Sequence, residues 1–241
     1  MRQSFEQAGF SDDVCRFTAF DNSDANYFDP YQLLNALCSE TTEPYLILCH
    51  QDVRLDLGNG VEKLLDEIAR LNTKHPCWML AGNAGVDFRG RPVLHLDDPH
   101  GRYRSRNLPA RVLSLDENFL LIRNGKGLAT SPGLSGFHLY GTDLCLNAHV
   151  RGGSAYVIDF LLTHLSGGNP HTVEYASALD NLKRYWCQKL WIGLVRTTTG
   201  AELSISRNAI LRRLLSRRCI INWLWHEEWP LITLRRKCSI H

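Results

Sequence analysis

No apolar run in this chain approaches the roughly 20 residues a helix needs to cross a bilayer, so a helical membrane span is not expected. The N-terminus carries Glu6, Asp12 and Asp13 and has no long apolar core, so no secretory signal is expected either. There is no Cys-x-x-Cys pair. The cysteines Cys15, Cys38, Cys49, Cys77, Cys145, Cys187, Cys219 and Cys238 are scattered, which argues against a zinc ribbon and against a disulfide framework. They read as mostly buried free thiols of a reducing cytoplasm. Internal repeats and low-complexity tracts are also missing. What remains is ordinary globular composition: 241 residues, 44% hydrophobic and 22% charged, enough for one large domain or two small ones.

The net charge of +2 hides an uneven distribution. Residues 1–182 balance to −7 and residues 183–241 to +9. The basic end also holds Trp186, Trp191, Trp223, Trp225 and Trp229. Two readings fit: an Arg-rich helical tail docked on the acidic body, or a surface for an anionic partner such as a membrane or a phosphate-bearing lipid carrier. No recognition motif accompanies the charge, so nucleic acid is not expected as a partner.

Patterning predicts alternating strands and helices. Residues 14–20 read as a strand ended by the polar stretch Asp21-Asn22-Ser23-Asp24. Asp29-Pro30 opens a helix, since Asp caps and Pro suits the first helical position. Tyr45 to Cys49 is the most apolar short run and reads as a buried strand in the middle of a parallel sheet. Val61, Leu64, Leu65, Ile68 and Leu71 recur at the helical period after Asn59-Gly60. Strands are expected at Trp78–Gly82, Val112–Ile122 and Ser154–Leu162, with a short hairpin turning at Gly90-Arg91. Residues 127–142 are glycine-rich and end in Thr142, an N-cap for a helix through about Arg151. A long helix is expected over about 171–191 and a basic one over about 206–218. The alternation implies an α/β sheet, mostly parallel, flanked by helices.

Polar groups at apolar strand ends are the chemical candidates. His50-Gln51-Asp52 closes the run at Tyr45–Cys49, where open α/β sheets place ligands. His164 ends a second apolar run. Asp52 and His164 could hold a divalent cation, Mn2+ or Mg2+, together with a diphosphate and water. Asp143, at a helix start, could be held as an anion and accept a proton. Each also has a plain structural reading: Asp52 and Asp143 as turn or helix caps, His164 as a satisfied core histidine.

The run Tyr45 to Val53, the segment Phe137 to Leu146 and the pair Thr163-His164 together resemble family-2-like glycosyltransferases of the GT-A fold over roughly residues 3–200. The resemblance implies a glycosyltransferase domain over 1–200, and the charge and tryptophan pattern leaves a basic, Trp- and Arg-rich helical extension over 201–241. It implies that Asp21 and Asn22 contact a nucleotide base, and that His50-Gln51-Asp52 stands as the Asp-x-Asp motif with Asp52 on the metal. It further implies that Asp143 is the base of an inverting transfer and that His164 completes the metal site. The expected donor is a nucleotide-sugar. The expected acceptor is a glycan or lipid-linked sugar of polysaccharide biosynthesis, handled in the cytoplasm, with residues 201–241 touching the inner face of the membrane. In this family a first strand normally precedes the helix that Ser4 to Phe10 resembles.

Two alternatives use the same residues. His50, Asp52 and His164 also make up a two-histidine, one-carboxylate set of a non-haem Fe(II) oxygenase, although such enzymes of the 2-oxoglutarate class are usually double-stranded β-helices. The other is a catalytically silent glycosyltransferase-like subunit that binds a glycan or a partner enzyme.

Overall fold

The computed structural model describes residues 1–169, 171–217 and 220. In chain order the elements are α1 (Arg2–Gln7), α2 (Pro30–Glu40), β1 (Tyr45–Cys49), β2 (Val53–Arg54), α3 (Val61–Lys74), β3 (Trp78–Gly82) and β4 (Ala84–Asp87). They continue with β5 (Pro92–Leu94), β6 (Leu96–Asp98), β7 (Gly101–Arg102), β8 (Ala110–Leu115), β9 (Phe119–Arg123), α4 (Tyr140–Val150) and β10 (Ser154–Val157). Then come β11 (Leu162–His164), α5 (Val173–Lys189), β12 (Ile192–Arg196), β13 (Glu202–Ser206) and α6 (Ala209–Leu215).

The fold is mixed α/β, but its main sheet is mostly antiparallel, which corrects the expectation of a mostly parallel one. Seven strands run in the order β1-β9-β3-β10-β8-β4-β5, and only β3 and β10 pair in parallel. β1 is therefore an edge strand, paired antiparallel with β9, and not a central parallel one. Its residues are half-buried and Ile47 is 36% exposed. Its apolar run reflects the helices and cleft it faces, not neighbours on both sides. The run expected as one strand from Val112 to Ile122 is two. Asp116-Glu117-Asn118 breaks it and joins β8 to β9 although β10 and β3 lie between them in the sheet.

Strand alternation puts the core on both sheet faces. Along β9, Phe119 and Leu121 pack with Leu64, Ile68 and Leu71 of α3 and with Phe5 of α1. Leu120 and Ile122 pack with Leu34 of α2 and with Leu144 and Cys145 of α4. A third cluster joins Leu182 and Trp186 of α5 to Leu203 and Ile205 of β13. A second sheet, β2-β11-β6-β7, lies beyond the end of β1. β12 and β13 form an antiparallel hairpin.

Local expectations fare unevenly. Asp29 caps α2 by accepting from Tyr31 N–H and Gln32 N–H, with Pro30 at the first position. α3 follows Gly60 with its predicted apolar face. The Gly90 turn joins β4 to β5. Residues 14–20 are not a strand; among them Cys15 and Phe17 pack on the core as irregular chain. Thr142 does not cap α4, which starts at Tyr140 after Leu139 in the left-handed region, φ 66°. The segment from 201, expected to be helical, opens as strand β13 before α6. Trp223, Trp225, Trp229, Arg235 and Arg236 lie outside the described residues. The cysteines at 15, 38, 49, 77, 145 and 187 are free thiols, Cys145 and Cys187 buried.

Candidate metal centre and its cleft

The strand pairing assembles the site. His50 follows β1, and its N–H is held by the Asn118 carbonyl at 3.0 Å. Asp52 sits in the turn into β2. β11 pairs antiparallel with β2, setting His164 opposite Val53, and Leu165 N–H bonds the Asp52 carbonyl at 3.0 Å. His164 is thus brought beside Asp52, with Nε2 and Oδ1 3.5 Å apart. The His50 and His164 rings lie 5.7 Å apart between centroids.

His50, Asp52 and His164 each offer one ligand atom, and the three atoms lie within 4.8 Å of one another. Ligand atoms of one transition-metal ion sit about 2.0–2.2 Å from it, so at most about 4.4 Å apart. The three side chains are within a small rotation of that spacing. Their donor chemistry also fits. Burial of Asp52 opposes its ionisation, but a hydrogen bond from Ser166 and the neighbouring His164 outweigh it and hold the carboxyl below its usual value. Burial also holds the His50 imidazole below its usual value; Asp116 and Asp52 pull the other way and His164 adds to the fall. An ionised carboxylate beside a neutral imidazole is a ligand pair ready for a cation. Two nitrogens and one oxygen suit Mn2+, Fe2+ or Zn2+ better than Mg2+, which prefers oxygen throughout. The Tyr140 hydroxyl lies 3.3 Å from His50 Nε2, within hydrogen-bond distance.

The three candidate ligands line a cleft of about 1760 Å³ that Asp21 and Asn22 also line. Asn22 organises their loop, donating to the Phe28 carbonyl and accepting from Phe28 N–H, both at 2.9 Å. Asp21 accepts from Ser23 N–H at 2.8 Å. Of the residues expected at a site, Asp21, Asn22, His50, Asp52 and His164 share one cleft, and His50 joins the metal set as well.

Asp143 does not belong with them. It is fully buried, and its carboxylate accepts from Ser131 N–H and Ser131 Oγ, both at 2.7 Å, from Trp186 Nε1 at 2.8 Å and from Asn147 Nδ2 at 3.2 Å. Burial pushes its carboxyl up, against those hydrogen bonds. A carboxylate closed in by four donors has no path to an acceptor hydroxyl. Asp143 ties α4, α5 and the 127–139 loop together, and its expected role as base is corrected on that ground.

Sequence reasoning missed Asp116 and Glu117, which line the same cleft. The signal was present: two adjacent acids inside an otherwise apolar run. Asp116 accepts from Asn118 N–H at 3.1 Å and from Thr198 Oγ1 at 2.8 Å. Glu117 Oε1 accepts from Gly141 N–H at 3.0 Å. Its carboxyl is pushed up to about 8, chiefly by burial and then by the adjacent Asp116, against the N–H groups of Gly141 and Thr142.

No protein-family model matches the chain. A protein of Fuscovulum blasticum, "ATP synthase subunits region ORF 6", is 41% identical over 169 residues, which are 67% of this chain and 68% of the relative. The chain belongs to that protein's family. The name of the ORF 6 relative states no activity, so the chemistry has to be read from the cleft. No helix among the described residues is long and apolar enough to cross a membrane.

Proposed function

We propose that this protein is a metal-dependent glycosyltransferase that moves a sugar from a nucleotide-sugar donor to a glycan or lipid-linked acceptor. The observation that carries the reading is the convergence of His50, Asp52 and His164 in a cleft that Asp21 and Asn22 also line. Ligand sites commonly occupy about 300–1,000 Å³. A cleft of about 1760 Å³ has room for a sugar nucleotide and an acceptor together. Asp52, His50 and His164 hold the cation, Mn2+ in preference to Mg2+. A bound divalent ion supplies Lewis-acid neutralisation of a departing diphosphate. Asp21 and Asn22 engage the nucleotide base at the far end. The inverting stereochemistry belongs to the same proposal.

Thermal denaturation tests it. Mn2+ alone should raise the Tm a little, and Mn2+ with UDP or GDP clearly more, because both ligands bind the folded state at one site; saturation at 100 times Kd is worth about 2.7 kcal/mol. Asp52→Ala should abolish the joint effect. Joint stabilisation that survives Asp52→Ala removes the metal assignment.

The donor set also favours a second reading, an Fe(II) oxygenase, since two imidazoles and a carboxylate converge. The mixed α/β sheet weighs against it. Stabilisation by Fe2+ with 2-oxoglutarate, and none by Mn2+ with UDP or GDP, would select it. A protein that Mn2+ and nucleotide stabilise but that transfers nothing to any acceptor would be a silent binding subunit.

We also propose that the basic end holds the protein at an anionic surface on the cytoplasmic side of a membrane. Among the described residues, Lys183 and Arg184 of α5 line a concavity of about 690 Å³ together with Arg207 and Arg212, and Asp180, paired with Arg184 at 3.1 Å, is the acid there.

A further inference from the structure

We infer that Glu117 takes the proton from the acceptor hydroxyl in this cleft. The inference rests on the transferase reading, and it fills the role that Asp143 is too enclosed to play. Several features of the molecule place Glu117 there. It lines the same cleft as His50, Asp52 and His164. It accepts from Gly141 N–H, next in the chain to Tyr140, whose hydroxyl lies 3.3 Å from His50 Nε2. Its position is fixed from outside its own link between β8 and β9: α4 begins after Leu139, which offers no side-chain cap, and Glu117 accepts Gly141 N–H in its place. Its neighbour Asp116 is held by Thr198 Oγ1 and Asn118 N–H, which leaves Glu117 as the adjacent carboxylate with only backbone partners.

The groups facing Glu117 are Asp116 on its own link, Tyr140 and Cys145 of α4, and Tyr31 of α2. Burial pushes both tyrosines and the thiol up, so they stay neutral around pH 7. Asp116 is the charged neighbour, and with burial it makes Glu117 a stronger base than a solvated carboxylate. A base poised near the working pH is suited to taking a proton in the transition state. In the step, the acceptor O–H bond breaks and its proton passes to the Glu117 carboxylate. The acceptor oxygen forms a bond to the anomeric carbon. The anomeric carbon–oxygen bond to the diphosphate breaks, and its electron pair leaves on the diphosphate oxygen.

The test compares wild type with Glu117→Gln, whose amide oxygen can still accept Gly141 N–H. Release of nucleoside diphosphate from UDP-glucose, UDP-galactose and GDP-mannose with Mn2+ should fall about 10²–10⁴-fold. The Tm rise given by Mn2+ and UDP should stay within a degree or so of wild type. The wild-type rate should climb to a limb near pH 8 that the variant lacks. A readout without metal or donor follows from the same group. Its folded value lies above the unfolded value of about 4.3, so ionisation costs the folded state stability as pH rises between the two. The stability of Glu117→Gln relative to wild type should therefore grow from pH 5 to pH 9 in urea denaturation. Turnover within fivefold of wild type, or a stability difference that is flat with pH, overturns the inference. If Glu117→Gln does not fold, a wild-type rate that is flat from pH 6 to 9 overturns it equally. Wild type that neither binds UDP with Mn2+ nor cleaves any donor sinks the transferase reading itself, whereas normal binding and turnover in Glu117→Gln sinks only the role of Glu117.

Discussion

At the scale of single residues, two carboxylates near α4 sit in different surroundings: Glu117 lines the cleft and Asp143 is fully buried. Asp143 is enclosed, and removing its carboxylate takes the acceptor from Ser131 N–H, Ser131 Oγ and Trp186 Nε1, while Asn147 Nδ2 keeps Ser131 Oγ and the Asp143 carbonyl. A buried donor without a partner costs about 1–3 kcal/mol. Three such donors make Asp143→Ala lower the unfolding free energy by at least about 3 kcal/mol in urea denaturation. Asp143→Asn should cost less, since its amide oxygen still accepts while its NH2 faces donors. Neither change should alter the Mn2+ affinity of the surviving folded protein. An Asp143→Asn protein of wild-type stability that had lost turnover would return this residue to the mechanism. The sequence marks both Asp143 and Asp52 as acids in apolar settings, but burial of a side chain from all sides is a property of three segments meeting. Trp186 and Ser131 supply that enclosure from 43 and 12 residues away, a distance no local pattern spans.

At the scale of elements, what periodicity encodes was readable and what neighbours decide was not. The apolar stripe of α3 and the Asp29-Pro30 start of α2 are local facts, and both stand in the structure. An apolar five-residue run is compatible with either a central parallel strand or an edge strand under helices, so the run alone does not fix β1 at the sheet edge where it lies. The candidate ligands His50, Asp52 and His164 are legible because they end apolar runs; their convergence depends on β2 pairing with β11, which a two-residue strand does not announce. The start of α4 is the clearest case of one element shaping another. A Cβ on Gly141 would stand 2.6 Å from the Leu115 carbonyl oxygen and 3.1 Å from Glu117 Oε1. The first contact is with backbone and cannot be relieved by a rotamer. Gly141→Ala should thus destabilise by about 1–3 kcal/mol, as overpacking does, and should displace Glu117 from its place at the helix start. Urea denaturation measures the first effect and the pH limb of turnover the second. A Gly141→Ala protein with unchanged stability and an unchanged limb would mean that β8 and α4 separate more easily than their contact suggests.

At the scale of the whole molecule, charge and structure divide the basic end differently from the sequence alone. Trp186 is 2% exposed in the core and Trp191 is 54% exposed, so the tryptophans are not one set. Leu203 and Ile205 of β13 are fully buried against α5, which makes the first part of the segment after residue 200 integral to the fold. Truncation has to spare them. Of the +9 balance, residues 183–217 carry +7 and residues 218–241 carry +2 together with Trp223, Trp225 and Trp229. A chain ending at Arg217 should keep a cooperative thermal transition, because the hairpin β12–β13 and α6 remain. If residues 218–241 help hold the protein at an anionic surface, that chain should co-sediment less with phosphatidylserine vesicles. The lost net charge accounts for about 2 kcal/mol, at about 1 kcal/mol per basic residue near the surface, or roughly 30-fold in partition, and buried tryptophans would add to it. The remainder should depend on the Lys183, Arg184, Arg207 and Arg212 concavity and fall steeply as salt shortens the range of the attraction. Charge reversal at Lys183 and Arg184 in the truncated chain should then remove binding at physiological salt. Equal sedimentation of the full, truncated and reversed chains would place the attraction elsewhere. No sedimentation of the full chain at low salt would mean that the basic end balances the acidic body of residues 1–182 and meets no membrane.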